Sequence, residues 1–191
     1  MKKGLSVIAF FMLIFLTACG GGGKIEGALN YEVEPFTFTN QNGDSVSLED
    51  LKGKVWIADF IFTNCETVCP PMTAHMTKLQ QEAEEAGVDV EFVSFSVDPE
   101  VDTPEKLKEF ARNYDLSFDN WHFLTGYDQE TIEEFAVSSF KAIVQKPKNN
   151  DQVIHGTKFY VIDQNGVVVK DFNGVENTPY EEIINVVKAL Q

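Results

Sequence analysis

The sequence predicts an α/β fold, a central mixed β-sheet flanked by helices and preceded by a β-hairpin. Three observations carry this. Residues 55–62 (VWIADFIF) are almost wholly apolar, as in a central strand covered on both faces. A helical stretch and a second strand follow, the order of a right-handed βαβ unit. Asn-Gly pairs at Asn42-Gly43 and Asn165-Gly166 mark hairpins towards either end of the chain.

The elements follow in order. Residues 33–39 and 45–48 flank the turn 40–44 as the first hairpin. After the strand 55–62, residues 70–86 read as a helix, with Pro70 tolerated in the first turn and Gly87 as a stop. Residues 88–97 alternate as a second strand. A helix runs from Thr103 to Tyr114, capped by Thr103 with Pro104 at its first position. Residues 121–124 are a short strand, 131–140 a helix and 145–152 (QKPKNNDQ) a polar loop. Residues 158–162 and 167–172 form a hairpin around Gln164-Asn165-Gly166, and 178–190 an amphipathic helix. A βαβ unit followed by a hairpin and a terminal helix predicts a thioredoxin-like sheet with helices on both faces.

With 191 residues, 43% apolar and 12% aromatic, the chain suits one domain with a substantial core, and its sixteen Phe predict an aromatic-rich one. The formal net charge is −15; without residues 1–18, 13 basic residues stand against 30 acidic ones, or −17. Such a surface repels phosphate backbones, so a nucleic-acid role is disfavoured. At long range it favours cationic partners or metal ions, and it keeps the protein soluble.

Residues 1–18 read as an address. Lys2-Lys3 precede an apolar run over 5–16 that is too short for a comfortable transmembrane span. Leu16-Thr17-Ala18-Cys19 resembles the lipobox of bacterial lipoproteins. The resemblance implies cleavage before Cys19 and a diacylglycerol on its sulfur, whose two acyl chains make a stable anchor; the alternative is an uncleaved signal anchor. Gly20 to Gly23 then begin a flexible tether. The expected organisation is a signal peptide over 1–18, an acylated Cys19 and tether over 19–32, and the folded domain over 33–191. Its expected place is the extracytoplasmic face of the cell membrane.

With Cys19 in the leader, Cys65 and Cys69 are the only thiols of the folded part. They lie where the central strand turns into the first large helix, a natural crevice of open α/β sheets. A helix N-terminus favours a thiolate there. At i and i+4 the two sulfurs can share one face of a helical turn and reach one ion, or close a disulfide if that turn is distorted. A bridge closing so short a loop stabilises little, so the pair points to metal or redox chemistry.

Residues 65–71 (CETVCPP), the downstream 96–100 (SVDPE) and His155 ahead of 157–163 (TKFYVID) together resemble the Sco (SenC/PrrC) family of thioredoxin-fold copper proteins linked to cytochrome c oxidase assembly. The likeness spans residues 33–190. It implies that Cys65, Cys69 and His155 are the ligands of one copper, as Cu(I) or Cu(II), and that Asp98 supports them from behind. It also implies copper delivery to, or thiol reduction at, the Cu-A centre of cytochrome c oxidase subunit II, by an expected monomer.

Donor chemistry agrees: two thiolates and an imidazole are a soft set suited to copper, whereas zinc usually adds a fourth ligand. The same cysteines can serve as a redox pair, so a dedicated thiol-disulfide oxidoreductase without copper transfer is the alternative, although its usual spacing is CxxC rather than CxxxC. Peroxidase chemistry is disfavoured, because the single Arg, Arg112, lies far along the chain. Met72 and Met76 read as core packing, His75 as facing solvent, His122 as structural, and Pro70-Pro71 as restraints on the helix start.

Overall fold

The computed structural model describes residues 25 and 27–191. The leader, Cys19 and the four-glycine run lie outside the described residues. In chain order the elements are β1 (Tyr31–Glu32), β2 (Thr37–Thr39), β3 (Ser45–Ser47), α1 (Leu48–Leu51), β4 (Trp56–Ile61), α2 (Cys69–Glu85), β5 (Glu91–Ser96), α3 (Pro104–Ala111), β6 (Trp121–Leu124), α4 (Gln129–Phe140), β7 (Val144–Gln145), β8 (Ile154–His155), β9 (Lys158–Ile162), β10 (Val167–Asn173) and α5 (Tyr180–Leu190).

Six strands form one mixed sheet in the order β1-β10-β9-β4-β5-β6. β4 lies inside it and is buried at every residue, which is why its sequence is apolar on both faces. It runs parallel to β5, with Asp59 opposite Ser94, and antiparallel to β9. α2 and α3 are the crossovers β4–α2–β5 and β5–α3–β6, and all three strands are parallel as such connections require. The predicted thioredoxin-like α/β fold is the one observed.

The core is as aromatic as the composition suggested. Phe95 lies 5.1 Å from Phe135 and 5.5 Å from Phe36, and Phe60 lies 5.3 Å from Phe140. Each such pair adds about 0.5–1.5 kcal/mol beyond area burial. The first hairpin closes through Gly43 at φ +87°, a left-handed conformation that explains the Asn-Gly signal. Thr103 caps α3 as expected, accepting from Lys106 N at 3.4 Å.

Three expectations need correction. The ordered sheet starts before Val33: Tyr31 and Glu32 pair with Val168 and Val167, so the end of the expected tether is an edge strand. Ser47 and Asp50 turn the chain into α1 at Leu48, where a strand was expected to end. The Asp50 carboxylate accepts from Ser47 N at 2.9 Å and from its hydroxyl at 2.5 Å. The polar loop 145–152 is the tip of a small arm, because Val144 and Gln145 pair antiparallel with His155 and Ile154. Two-residue strands are too short to produce an alternating signal. Among the described residues no helix is long and apolar enough to cross a membrane.

Candidate metal centre

The chain leaves β4 at Ile61, turns through Thr63 and Asn64, and places Cys65 ahead of α2, whose first residue is Cys69. No side chain caps this helix in the ordinary way; Val68 occupies the cap position. The Cys65 sulfur takes over part of that task, accepting from Cys69 N at 3.2 Å. Pro70 and Pro71 lack the N–H groups that would otherwise stand unpaired in the first turn. The helix start thus offers Cys65 Sγ a backbone donor and a favourable dipole end.

His155 comes from the other side of the sequence, on β8. Its Nδ1 lies 2.8 Å from the Gly156 carbonyl oxygen, to which it donates, leaving the Nε2 lone pair available. Nε2 lies 3.4 Å from Cys69 Sγ, and the Phe62 ring stands edge-on at 5.7 Å. The ligand atoms of Cys65, Cys69 and His155 all fall within 4.8 Å of one another. Cys69 is fully buried, Cys65 nearly so and His155 half-buried.

The electrostatics divide the thiols. The Cys69 side chain donates towards Cys65, and this, with the His155 contact and backbone donors, outweighs burial and draws the Cys65 thiol down to about 3. Burial, then the neighbouring Cys65, push Cys69 far up. The pair therefore gives up one proton readily and holds the second. Behind it, in the middle of β4, both carboxylate oxygens of Asp59 are buried, with no partner at full hydrogen-bond geometry among the described residues. Ser94 Oγ, opposite it, accepts from Trp121 Nε1 at 3.0 Å, and the Ser94 hydroxyl opposes only part of the effect of burial. Burial pushes Asp59 up to about 7.

The set of donors fits copper. Two thiolates and one imidazole are soft and nitrogen-containing, and three ligands suffice for Cu(I). Among the described residues no fourth Cys, His, Asp or Glu joins the group, as a closed structural zinc site would require.

The remaining candidates are placed as follows. Asp98 is buried, and its carboxylate meets Lys146 Nζ at 2.7 Å; Glu100 meets the same ammonium at 2.9 Å. Lys146 sits just beyond β7, which pairs with β8, so Asp98 reaches His155 only through the arm. Gln152, also on the arm, donates to the Asn64 carbonyl at 3.1 Å, beside Cys65. Met72 and Met76 are wholly buried, as expected. His75 is a correction: it does not face solvent but ties α2 to the α5 region, with Nδ1 against the Tyr180 hydroxyl and Nε2 3.1 Å from the Val175 carbonyl. His122 lies 3.7 Å from Glu91, remote from the cluster, and burial lowers its pKa. Arg112 ends α3.

Sequence reasoning passed over Asp102. Its buried carboxylate accepts from Thr63 N at 3.2–3.3 Å, Thr63 Oγ1 at 2.5 Å and Ser96 Oγ at 2.6 Å, and so fixes the turn that presents Cys65. It lies one residue ahead of the expected helix start at Thr103, where an Asp carries no distinctive signal. Lys146 and Gln152 were hidden in a polar loop. Asp59 did leave a trace, a lone acid in an apolar strand.

Known proteins give the same picture. The family model described as SCO1/SenC matches residues 26–191. The SCO1 protein homolog of Bacillus subtilis (strain 168) is 64% identical over 187 residues, covering 98% of this chain and 95% of that protein. The structure of BsSco, described as a member of the Sco family of cytochrome c oxidase assembly proteins with a disulfide switch, is 65% identical. It has a TM-score of 0.82 and covers 88% of this chain and 98% of that one. Bradyrhizobium japonicum ScoI, solved with copper bound, is 28% identical with a TM-score of 0.69, over 83% of this chain and 99% of that one. By sequence match, fold and the grouping of Cys65 and Cys69 with His155, this chain belongs to the SCO1/SenC family.

Proposed function

We propose that the chain is a lipid-anchored copper protein of cytochrome c oxidase assembly. One copper is held by Cys65, Cys69 and His155, as cargo for the Cu-A centre of subunit II or as part of keeping that centre's cysteines reduced. The observation that carries the reading is the convergence of two thiols and one imidazole within 4.8 Å. The relatives support it: ScoI of Bradyrhizobium japonicum is a copper-bound structure, and BsSco is described as an assembly protein.

This chain's own residues prepare the site. The α2 N-terminus and the Cys69 thiol hold Cys65 as a thiolate, and Gly156 fixes the imidazole with Nε2 facing the sulfurs. The Phe62 ring and the buried end of β4 keep the sulfurs away from bulk water. Anchoring at the extracytoplasmic membrane face through Cys19 belongs to the same proposal and rests on residues 16–19.

An anaerobic copper titration tests it. One copper per reduced chain is expected, with a sulfur-to-Cu(II) charge-transfer band that is lost or shifted in His155→Ala. Parental binding by all three of Cys65→Ser, Cys69→Ser and His155→Ala would sink the reading.

A second reading, a dedicated thiol-disulfide oxidoreductase, is favoured by one observation: an activated Cys65 beside a fully buried Cys69 is the arrangement of an attacking and a resolving thiol. A chain that takes up no copper yet reduces the Cu-A disulfide would select it.

A further inference from the structure

Among the described residues three large apolar side chains are exposed, and two adjoin His155. Ile154 precedes it on β8 and is 55% exposed; Ile143 precedes its pairing partner Val144 and is 68% exposed. The third, Val137, lies in the last turn of α4, a few residues before Ile143. Ile143, Ile154, Lys141, Lys158, Tyr160 and His155 line one open cleft of about 490 Å³. Adjacent exposed isoleucines around a cleft mark a surface that is covered in use.

The local charge runs against that of the chain. Residues 141–158 hold Lys141, Lys146, Lys148 and Lys158 against Asp151 alone, a net +3, so the rest of the chain sums to −18. Lys146 is shared with Asp98 and Glu100, and Lys158 with Asp171. Lys141 and Lys148 make no ion pair among the described residues; the Lys141 ammonium lies over the Tyr31 ring at 5.6 Å. An acidic protein that sets an unpaired Lys141 in the wall of an apolar cleft, with Lys158 and Asp171 balancing each other beside it, selects a partner acidic at that place, whatever its overall charge favours at long range.

Access points the same way. Cys69 is fully buried and Cys65 nearly so, and His155 forms part of the cleft wall. Of the three candidate ligands His155 is the one in the cleft wall, so a group seated in the cleft meets the site at His155.

We propose that the cleft beside His155 is the docking surface for the acidic face of the partner protein that receives copper or electrons from the site. An apolar side chain of that partner seats between Ile143 and Ile154, and a carboxylate beside it faces Lys141. The partner's need to come within ligand reach rests on the proposed function; the surface itself rests on exposure and charge.

The test uses the full chain in neutral detergent and the isolated Cu-A domain of subunit II from the same organism as probe, with association and copper uptake measured on the same samples. Ile143→Ser with Ile154→Ser, and separately Lys141→Glu, are expected to bind copper as the parent does and to weaken association at least tenfold. Raising salt is expected to weaken the parent more than Lys141→Glu. Unchanged association in both variants overturns the proposal. So does tighter association of Lys141→Glu, which would make the partner basic there. Loss of binding to anionic phospholipid vesicles alone, with the Cu-A domain still bound, assigns the cleft to the membrane and also overturns it. If association responds to the variants while no sample takes up copper, the docking surface stands and the copper reading falls.

Discussion

Lys146 Nζ lies 2.7 Å from Asp98 Oδ1 and so ties the arm that carries His155 to the loop beyond β5. The residue that family likeness would place behind the metal thus acts at one remove, through an ammonium on another segment. Lys146 N also donates to Glu133 Oε1 at 2.9 Å, which docks the same arm on α4.

If the pair positions His155, Lys146→Met lowers copper affinity about 10–100-fold, the usual loss for a residue that orients a metal ligand. Asp98→Asn follows it, and the double variant loses no more than the worse single one, because both act on one connection. Competition against a chelator, with thermal unfolding of the metal-free proteins alongside, reads this. Parental affinity in both single variants would show that the arm keeps its place without the pair.

Thiol reactivity is expected to be unequal. Cys65, drawn down to about 3 and slightly accessible, is alkylated first by a small reagent, and its rate stays flat between pH 5 and 8. In Cys69→Ala the donor that lowers Cys65 is gone, so the rate becomes steeply pH-dependent. Mass spectrometry of peptides after brief labelling measures the order; first labelling at Cys69 would contradict it.

Asp59 gives stability a pH dependence. Its value in the native state is about 7 against an ordinary 3.8, so between those values the native protein holds a proton that the unfolded chain has lost. Stability from this residue therefore falls as pH rises from about 4 to 7, and its cost, up to about 4 kcal/mol, is constant above. Asp59→Asn should be more stable than the parent by a few kcal/mol at pH 8, with the difference shrinking towards pH 4. Denaturant unfolding at both pH values decides; a gain that is independent of pH would remove titration as the cause.

Asp102→Ala strands three donors, on Thr63 and Ser96, at about 1–3 kcal/mol for each that stays dry. A loss of at least 2 kcal/mol in unfolding is expected, along with weaker copper binding through a looser Cys65 turn. Thr63→Val, which removes only one of these bonds, should do less. A wild-type midpoint for Asp102→Ala would mean that water replaces the carboxylate.

Most of the fold was legible because its signals are local and strong. β4 is apolar throughout since it is covered on both faces, and Gly43 and Gly166 sit at turn positions that demand positive φ. The candidate site was legible as residue types: paired cysteines at a strand-to-helix turn and one histidine before a strand. What escaped depends on contacts between distant segments. Nothing in residues 145–152 says that Lys146 will meet Asp98, or that Gln152 will reach Asn64, because neither bond leaves a periodic trace. His75 was misread for the same reason, since its partners lie about a hundred residues on.

Among the described residues β7 and β8 pair only with each other, outside the six-stranded sheet. Opening them breaks a ladder two residues long and leaves β4 undisturbed, so the amides of the arm exchange with solvent through small local excursions, while those of the sheet wait for global unfolding. The two cysteines keep the slow clock and His155 the fast one. An ion shared between them forces both to a common time, so that loading would be read most plainly in the hours gained by the amides of Ile154 and His155.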